Sequence, residues 1–357
     1  TGTLRVRRTL TQPCKAVNAC VVLDLQETQN ALNKIFADIS EYVSFNPSVI
    51  VGLRGSFLSF KRASGFKNTD GRNRIITTRD IADAVNNSVP RNLSDTLEVV
   101  DVLPQTYTID GQTGIKNPRG MEGFGLEVET FISYALITQL NNLNHALCAC
   151  ECPDYTVLPS SVCLGQTLLR EEEKNNNTLF LDIGGENSSA LLYHKGTILE
   201  GWELPIGAEM IVQEVADVLQ NDLGATRATL TRYEYGDDEG IDDVLDEASK
   251  KMLRAIKKEL LQSMLFVKYP PVWAVLSGGG SSLSVRDAAK NIFSLRKARL
   301  AVYDDLISDA PDADNPLYSS AIALTLHSLE RDAQSPLPVR QKEEGFLGGL
   351  LAKLGLN

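Results

Sequence analysis

Histidine and cysteine are scarce: three histidines and six cysteines in 357 residues leave little material for a metal centre. Cys148, Cys150 and Cys152 crowd into one run, but the paired Cys-x-x-Cys spacing of a zinc site is absent. With Cys14, Cys20 and Cys163 they read as buried or half-buried free thiols of a reducing compartment. Positive charge is also short. Lys and Arg number 35 against 46 Asp and Glu, a net charge of −11, which argues against broad attraction to nucleic acid or anionic lipid. No apolar run is long enough to span a bilayer, so any membrane attachment has to rest on apolar burial at the interface. The opening residues carry no export signal, and Thr1 stands where a strand is already under way, so further sequence is expected upstream. Neither a Gly-x-x-x-x-Gly-Lys-Ser/Thr loop nor a Gly-x-Gly-x-x-Gly opening occurs, which removes the usual support for two common nucleotide folds.

What is present is a chain with 43% apolar residues, long enough for two or more folding units. Leu4 to Leu10 alternates as a strand. Leu25 to Tyr42 repeats apolar residues at helical spacing behind a capping Asp24 or Thr28. Val49 to Phe60 reads as a strand broken by Gly52 and Gly55, and Thr77 or Thr78 with Asp80 predicts a short capped helix. Two strands are expected on either side of Pro104, another at Gly125 to Tyr134, and a helix at Thr138 to Ala149. The residues around Lys195-Gly196 predict a hairpin between Ser189 to Tyr193 and Thr197 to Leu204. Helices follow at Ala208 to Leu219 and Ile241 to Phe266, and Trp273 to Leu276 is a short buried strand.

Two strands end in glycine turns. Asp182-Ile183-Gly184-Gly185 delivers a carboxylate to a strand end beside two residues whose amides approach phosphate without Cβ interference. In that arrangement Asp182 would order water around a divalent cation rather than touch phosphate. Ser277-Gly278-Gly279-Gly280, before a helical run from about Val285, suits close approach of phosphate or of a flat adenosine face. Each turn by itself also fits an ordinary strand-to-helix connection.

The stretch Val102 to Met121 (VLPQTYTIDGQTGIKNPRGM) resembles the signature of the bacterial FtsA family, actin-like cell-division proteins. Asp182 to Gly185, Leu204 to Gly207, Leu276 to Gly280 and Asn315 to Ala321 follow in the family's order, so the resemblance covers nearly the whole chain. It implies an α/β fold of the actin/Hsp70 type, two-lobed and nucleotide-binding, with a small inserted α+β domain. The implied division is first-lobe core at 1–47 and 135–177, the insertion at 48–134, second-lobe core at 178–207 and 271–330, and a small outer subdomain at 208–270. A linker at 331–345 and an amphipathic membrane-targeting helix at 346–357 complete it. By the same resemblance Asp182, Gly184 and Gly185 face phosphate and Mg2+, Gly207 lies in another nucleotide-proximal loop, and Gly278, Gly279 and Gly280 support the adenosine of ATP or ADP. Arg232 stands where the family usually places a lysine near the ribose. The implied partners are the C-terminal peptide of FtsZ, other cell-division proteins, further copies of the chain in a head-to-tail filament, and membrane lipid, with no nucleic acid. The implied place of work is the cytoplasmic face of the membrane at the division site.

Some residues depart from the family pattern. Thr229 replaces an expected glutamate, Glu186-Asn187 follows the glycines where Gly-Thr is usual, and the first phosphate loop is not visible, with Thr1-Gly2-Thr3 its nearest remnant. These departures predict reduced nucleotide affinity and slow or absent hydrolysis. The tail places Phe346, Leu347, Leu350, Leu351 and Leu354 on one side of a helix. Each such side chain contributes about 1.5–3 kcal/mol when fully buried, enough for reversible attachment and not for spanning. Arg227, Arg232, Lys250, Lys251, Arg254, Lys257 and Lys258 could meet an acidic peptide, although a solvated helix face accounts for the lysine-rich part. Competing readings are a small-molecule kinase of the same fold, an Hsp70-like ATPase, and a type IV pilus assembly adaptor.

Overall fold

The computed structural model describes residues 4–43, 47–69, 74–150, 152, 155–234, 241–304 and 306–334. The described residues form two compact units, one from 4–10, 54–56 and 160–323, the other from 11–53, 57–159 and 324–334. Residues 4–10 and 160–177 thus fall in the same unit as 178–323.

In the second of these units, a four-stranded antiparallel sheet carries the strands in the order Leu58–Asn68, Gly125–Leu136, Leu97–Ile109 and Gln112–Ile115. The helix Thr78–Ser88 lies on one face, pressing Ala84 and Val85 into a cluster with Val99, Val102, Leu126, Val128 and Ile132. Its start is fixed by a capping box in which Thr77 and Asp80 each satisfy the other's backbone amide. Pro104 does not divide the sheet as expected. One strand runs through it, with the pairing register shifting between Val99 and Asp101 and again between Pro104 and Thr106. Each bulge inserts one residue, which returns Val99, Val102 and Tyr107 to the same face despite their odd spacing. Proline is tolerated there because the outer neighbour pairs only from Tyr107 onward.

Other elements of this unit follow the sequence closely. The helix Leu25–Ser40 starts at Asp24, whose carboxylate accepts the Glu27 amide at 2.9 Å. The strand Val49–Leu53 pairs in parallel with Tyr155–Pro159. The expected break falls at Arg54 to Phe57, while Gly52 stays inside the first strand.

The first unit is built on a five-stranded sheet in the order Thr197–Leu204, Ser188–His194, Thr178–Ile183, Trp273–Ser277 and Lys297–Leu300. Leu179, Leu181 and Ile183 point to one face and meet the helices Glu209–Leu219, Asp242–Leu260 and Leu283–Ile292. Asp242–Leu260 buries Leu245, Ala248, Met252, Leu253, Ile256 and Leu260 at spacings of three and four, with acidic residues in its first turn and lysines in its last. The long helix expected to reach Phe266 stops at Leu260. A second short helix, Met264–Lys268, begins at Ser263, whose hydroxyl accepts the amides of Leu265 and Phe266 and donates to Glu200. The strand expected over Leu4 to Leu10 is confined to Arg5–Val6, paired with Ile307–Ser308. The six cysteines are free, and Cys148 is exposed rather than buried.

Candidate functional site

Parallel pairing of Thr178–Ile183 with Trp273–Ser277 sets Asp182 opposite Ser277, so both glycine turns leave the sheet at the same edge. They are in contact. The Gly280 amide donates to the Ile183 carbonyl at 2.8 Å, and a Cβ on Gly278 would lie 2.4 Å from that same oxygen. Gly278 also has φ +88°, a conformation that L side chains rarely adopt. The third loop closes over the first: the amides of Ala208 and Glu209 donate to the carbonyls of Gly184 and Gly185, each at 2.8 Å. A Cβ on Gly207 would sit 2.3 Å from the Gly185 oxygen, so only glycine permits this approach. By contrast, nothing lies within 4 Å of where a Cβ would stand on Gly185 or Gly279. Those two glycines are the open ones.

Side chains on the opposite sheet face add a polar row, of which the sequence singles out Asp182 and Ser277 but not Ser189 and Glu203. Ser277, Asp182, Ser189 and Glu203 are cross-strand neighbours on four successive strands. Glu203 accepts the Gly55 amide at 3.0 Å, the Ser189 hydroxyl at 2.8 Å and the Ser161 hydroxyl at 2.9 Å. Burial lifts the Glu203 carboxyl to about 7, against the opposing pull of those donors and of Arg54. Asp182 is 2% exposed, and burial raises its carboxyl as well, opposed by Arg54 and by a hydrogen bond from Ser277.

Arg54 is the unforeseen member. Its Nη2 lies 3.0 Å from Asp182 Oδ2, and a Cβ on Gly184 would come within 3.2 Å of that nitrogen. The guanidinium therefore lies over the Gly184 turn, where the sequence reading expects water ordered around magnesium. Neither Arg54 Nη2 nor Asp182 Oδ2 meets hydrogen-bond geometry despite the short separation, and Asn187 Nδ2 in the same turn is likewise buried without a hydrogen bond. Among the described residues no group of three or more His, Cys, Asp or Glu stands ready for a metal ion. As a ready-made magnesium site these residues do not fit.

The remaining expected residues divide. Glu186 is exposed and Thr229 is buried. Arg232 belongs to the helix Leu223–Glu234, but its side chain lies outside the described residues, as do Thr1-Gly2-Thr3 and the tail with Phe346, Leu347, Leu350, Leu351 and Leu354. The basic segment is largely committed to partners in its own unit. Arg227 pairs with Glu209 at 2.6 Å, Lys250 with Asp246 and Glu247, Lys251 with Glu214, and Lys257 donates to the Ile292 carbonyl at 2.5 Å. Among the described residues, no helix is long and apolar enough to cross a membrane.

The fold is actin-like, with a small inserted α+β domain, as comparison with solved structures and domain models bears out. A chain of the PilM-PilN type IV pilus biogenesis complex superposes with a TM-score of 0.61 at 16% identity, covering 89% of each chain. Residues 55–133 match the SHS2 domain inserted in FTSA. Cell division protein FtsA of Neisseria meningitidis is 25% identical over 96% of this chain and 89% of its own length. The Enterococcus faecalis protein of the same name is 22% identical over 88% and 76% respectively. Along most of its length the chain is thus similar to cell-division proteins named FtsA, and it carries the domain inserted in them.

Proposed function

We propose that this chain is a membrane adaptor of bacterial cell division. In this reading it binds ATP or ADP on the turns at Gly184–Gly185, Gly207 and Gly278–Gly280, self-associates head to tail, and tethers FtsZ filaments to the inner face of the membrane through the segment from Phe346 to Leu354. The observation that carries the nucleotide part is the joining of three backbone turns at one sheet edge, with Gly185 and Gly279 left open to a ligand. Backbone amides and glycine surfaces so arranged suit an anionic, flat-based molecule. The adaptor part draws on the matched inserted domain and on relatives named as cell-division proteins. These favour division over a pilus role, since the PilM-PilN likeness concerns fold alone. Hydrolysis is slow or absent in this reading, because Asp182, the carboxylate at the end of the strand before Gly184–Gly185, is already opposite a guanidinium.

Titration of the whole chain with fluorescent ATP tests the nucleotide part, with saturable binding expected and a flat titration overturning it. Removal of 346–357 is expected to abolish co-sedimentation with liposomes while leaving the folded core intact. Undiminished co-sedimentation would discard the membrane anchor. Pull-down on the C-terminal peptide of FtsZ checks the partner.

A further inference from the structure

We propose that Arg54 supplies the positive charge that neutralises the polyphosphate at the Gly184–Gly185 turn, so that nucleotide binding does not depend on a divalent cation. This inference rests on the nucleotide reading above. The guanidinium is in contact with the turn: Nη2 lies 3.0 Å from Asp182 Oδ2 and 3.2 Å from the point where a Cβ would stand on Gly184. Asp182 is 2% exposed, yet its Oδ2 has no hydrogen bond, and the Nη2 facing it has none either. The ion pair is thus electrostatic contact without a directed bond, and it leaves the fork's donors free to turn toward a stronger acceptor. Asn187 Nδ2, a second buried donor without a hydrogen bond, belongs to the same turn. The Arg54 side chain as a whole keeps 22% of its surface accessible. A guanidinium matches phosphate oxygens in a planar, bidentate way and holds its charge at every physiological pH.

A divalent ion and this arginine compete for the same carboxylate. If a hydrated cation sat beside Asp182, a fixed positive charge 3.0 Å from that oxygen would repel it. With Arg54 in that role, Asp182 is the counter-charge on which the guanidinium rests until a phosphate displaces it, rather than a ligand of a metal.

The two assignments predict opposite signs for one substitution. ATP affinity would be measured by fluorescent-nucleotide titration in buffer with magnesium and in buffer with EDTA, on the wild-type chain, Arg54→Gln and Asp182→Asn, with thermal melting of each as a check on folding. Wild-type affinity is expected to agree within about twofold between the two buffers. Arg54→Gln is expected to lose tenfold or more in EDTA, about what one charge-assisted contact contributes. Asp182→Asn is expected to bind ATP in EDTA at least as tightly as wild type, because the guanidinium loses its competitor. Wild-type binding that collapses in EDTA, or an Asp182→Asn chain that loses affinity only in magnesium, would overturn the assignment while leaving the nucleotide reading intact. No saturable binding of the wild type in either buffer would overturn both. Where Arg54→Gln fails to fold, Arg54→Lys and the Asp182→Asn sign still decide the matter.

Discussion

The amide of Gly280 donates to the carbonyl of Ile183, 97 positions earlier in the chain, at 2.8 Å, and through that bond the turns after two strands share one surface. A Cβ on Gly280 would meet Ile183 Cγ2 at 2.7 Å and the Ala208 Cβ at 2.8 Å. Gly280→Ala is therefore expected to force the turns apart, with a loss of about 1–3 kcal/mol in urea unfolding and a parallel loss of ATP affinity. Gly279→Ala, with nothing within 4 Å of its new methyl, is expected to leave unfolding unchanged within about 0.5 kcal/mol and to weaken nucleotide binding alone.

In the inserted domain, the helix Thr78–Ser88 rests directly on Gly65. A Cβ there would lie 2.0 Å from the Ala84 carbonyl oxygen and 2.6 Å from the Ser88 nitrogen, both backbone atoms that cannot turn aside. Gly65→Ala is expected to lift the helix from the sheet at a cost of at least about 2 kcal/mol, read as a lower unfolding midpoint and as faster hydrogen exchange in residues 78–88.

Glu203 carries a pH signature. Its carboxyl moves from an ordinary 4.5 to about 7 on folding, so between those values the folded chain holds a proton that the unfolded chain has released. Stability from this group is full below pH 4.5 and is lost as the pH rises through about 7, by about 3 kcal/mol in all. Glu203→Gln keeps an acceptor for the Gly55 amide and offers a donor to Ser161. The difference in unfolding free energy between variant and wild type is expected to grow in favour of the variant from pH 5 to pH 8. A difference that does not change with pH would show that the carboxyl is not titrating in this window.

Arg299 and Glu173 form the opposite case. Burial pushes the Glu173 carboxyl up, but two hydrogen bonds from Arg299, at 2.6 Å and 2.7 Å, and one from the Arg170 amide outweigh it and hold the group below the usual range. Its stabilisation is present above the ordinary carboxylate value and fades as the pH falls through the lowered one. Arg299→Met strands a largely buried carboxylate and is expected to cost about 3–5 kcal/mol at pH 7, with Glu173→Gln added to it restoring much of the loss.

Local signals account for what the sequence revealed. Asp24, the Thr77–Asp80 box and the Lys195-Gly196 turn each act within four residues, and Lys195 and Gly196 adopt the φ values of +51° and +80° that a two-residue hairpin requires. The end of the long helix at Leu260 was hidden because Met264 and Phe266 continue the apolar rhythm past the break. The glycine turns were legible as candidates, but their contact depended on the parallel pairing of two strands about ninety residues apart. Arg54 lay beyond reach for the same reason: nothing near it in the chain announces a partner at Asp182.

The Ser277, Asp182, Ser189 and Glu203 row has a consequence for assembly of the sheet. Asp182, between Leu181 and Ile183, and Glu203, between Trp202 and Leu204, are each flanked by apolar residues, so slipping either strand by a single position would turn a carboxylate toward the hydrocarbon layer beneath the helices and bring an apolar side chain out in its place. Misaligned pairings of these two strands are thereby penalised, and the two carboxylates near the glycine turns act as a gauge of correct alignment while the chain folds.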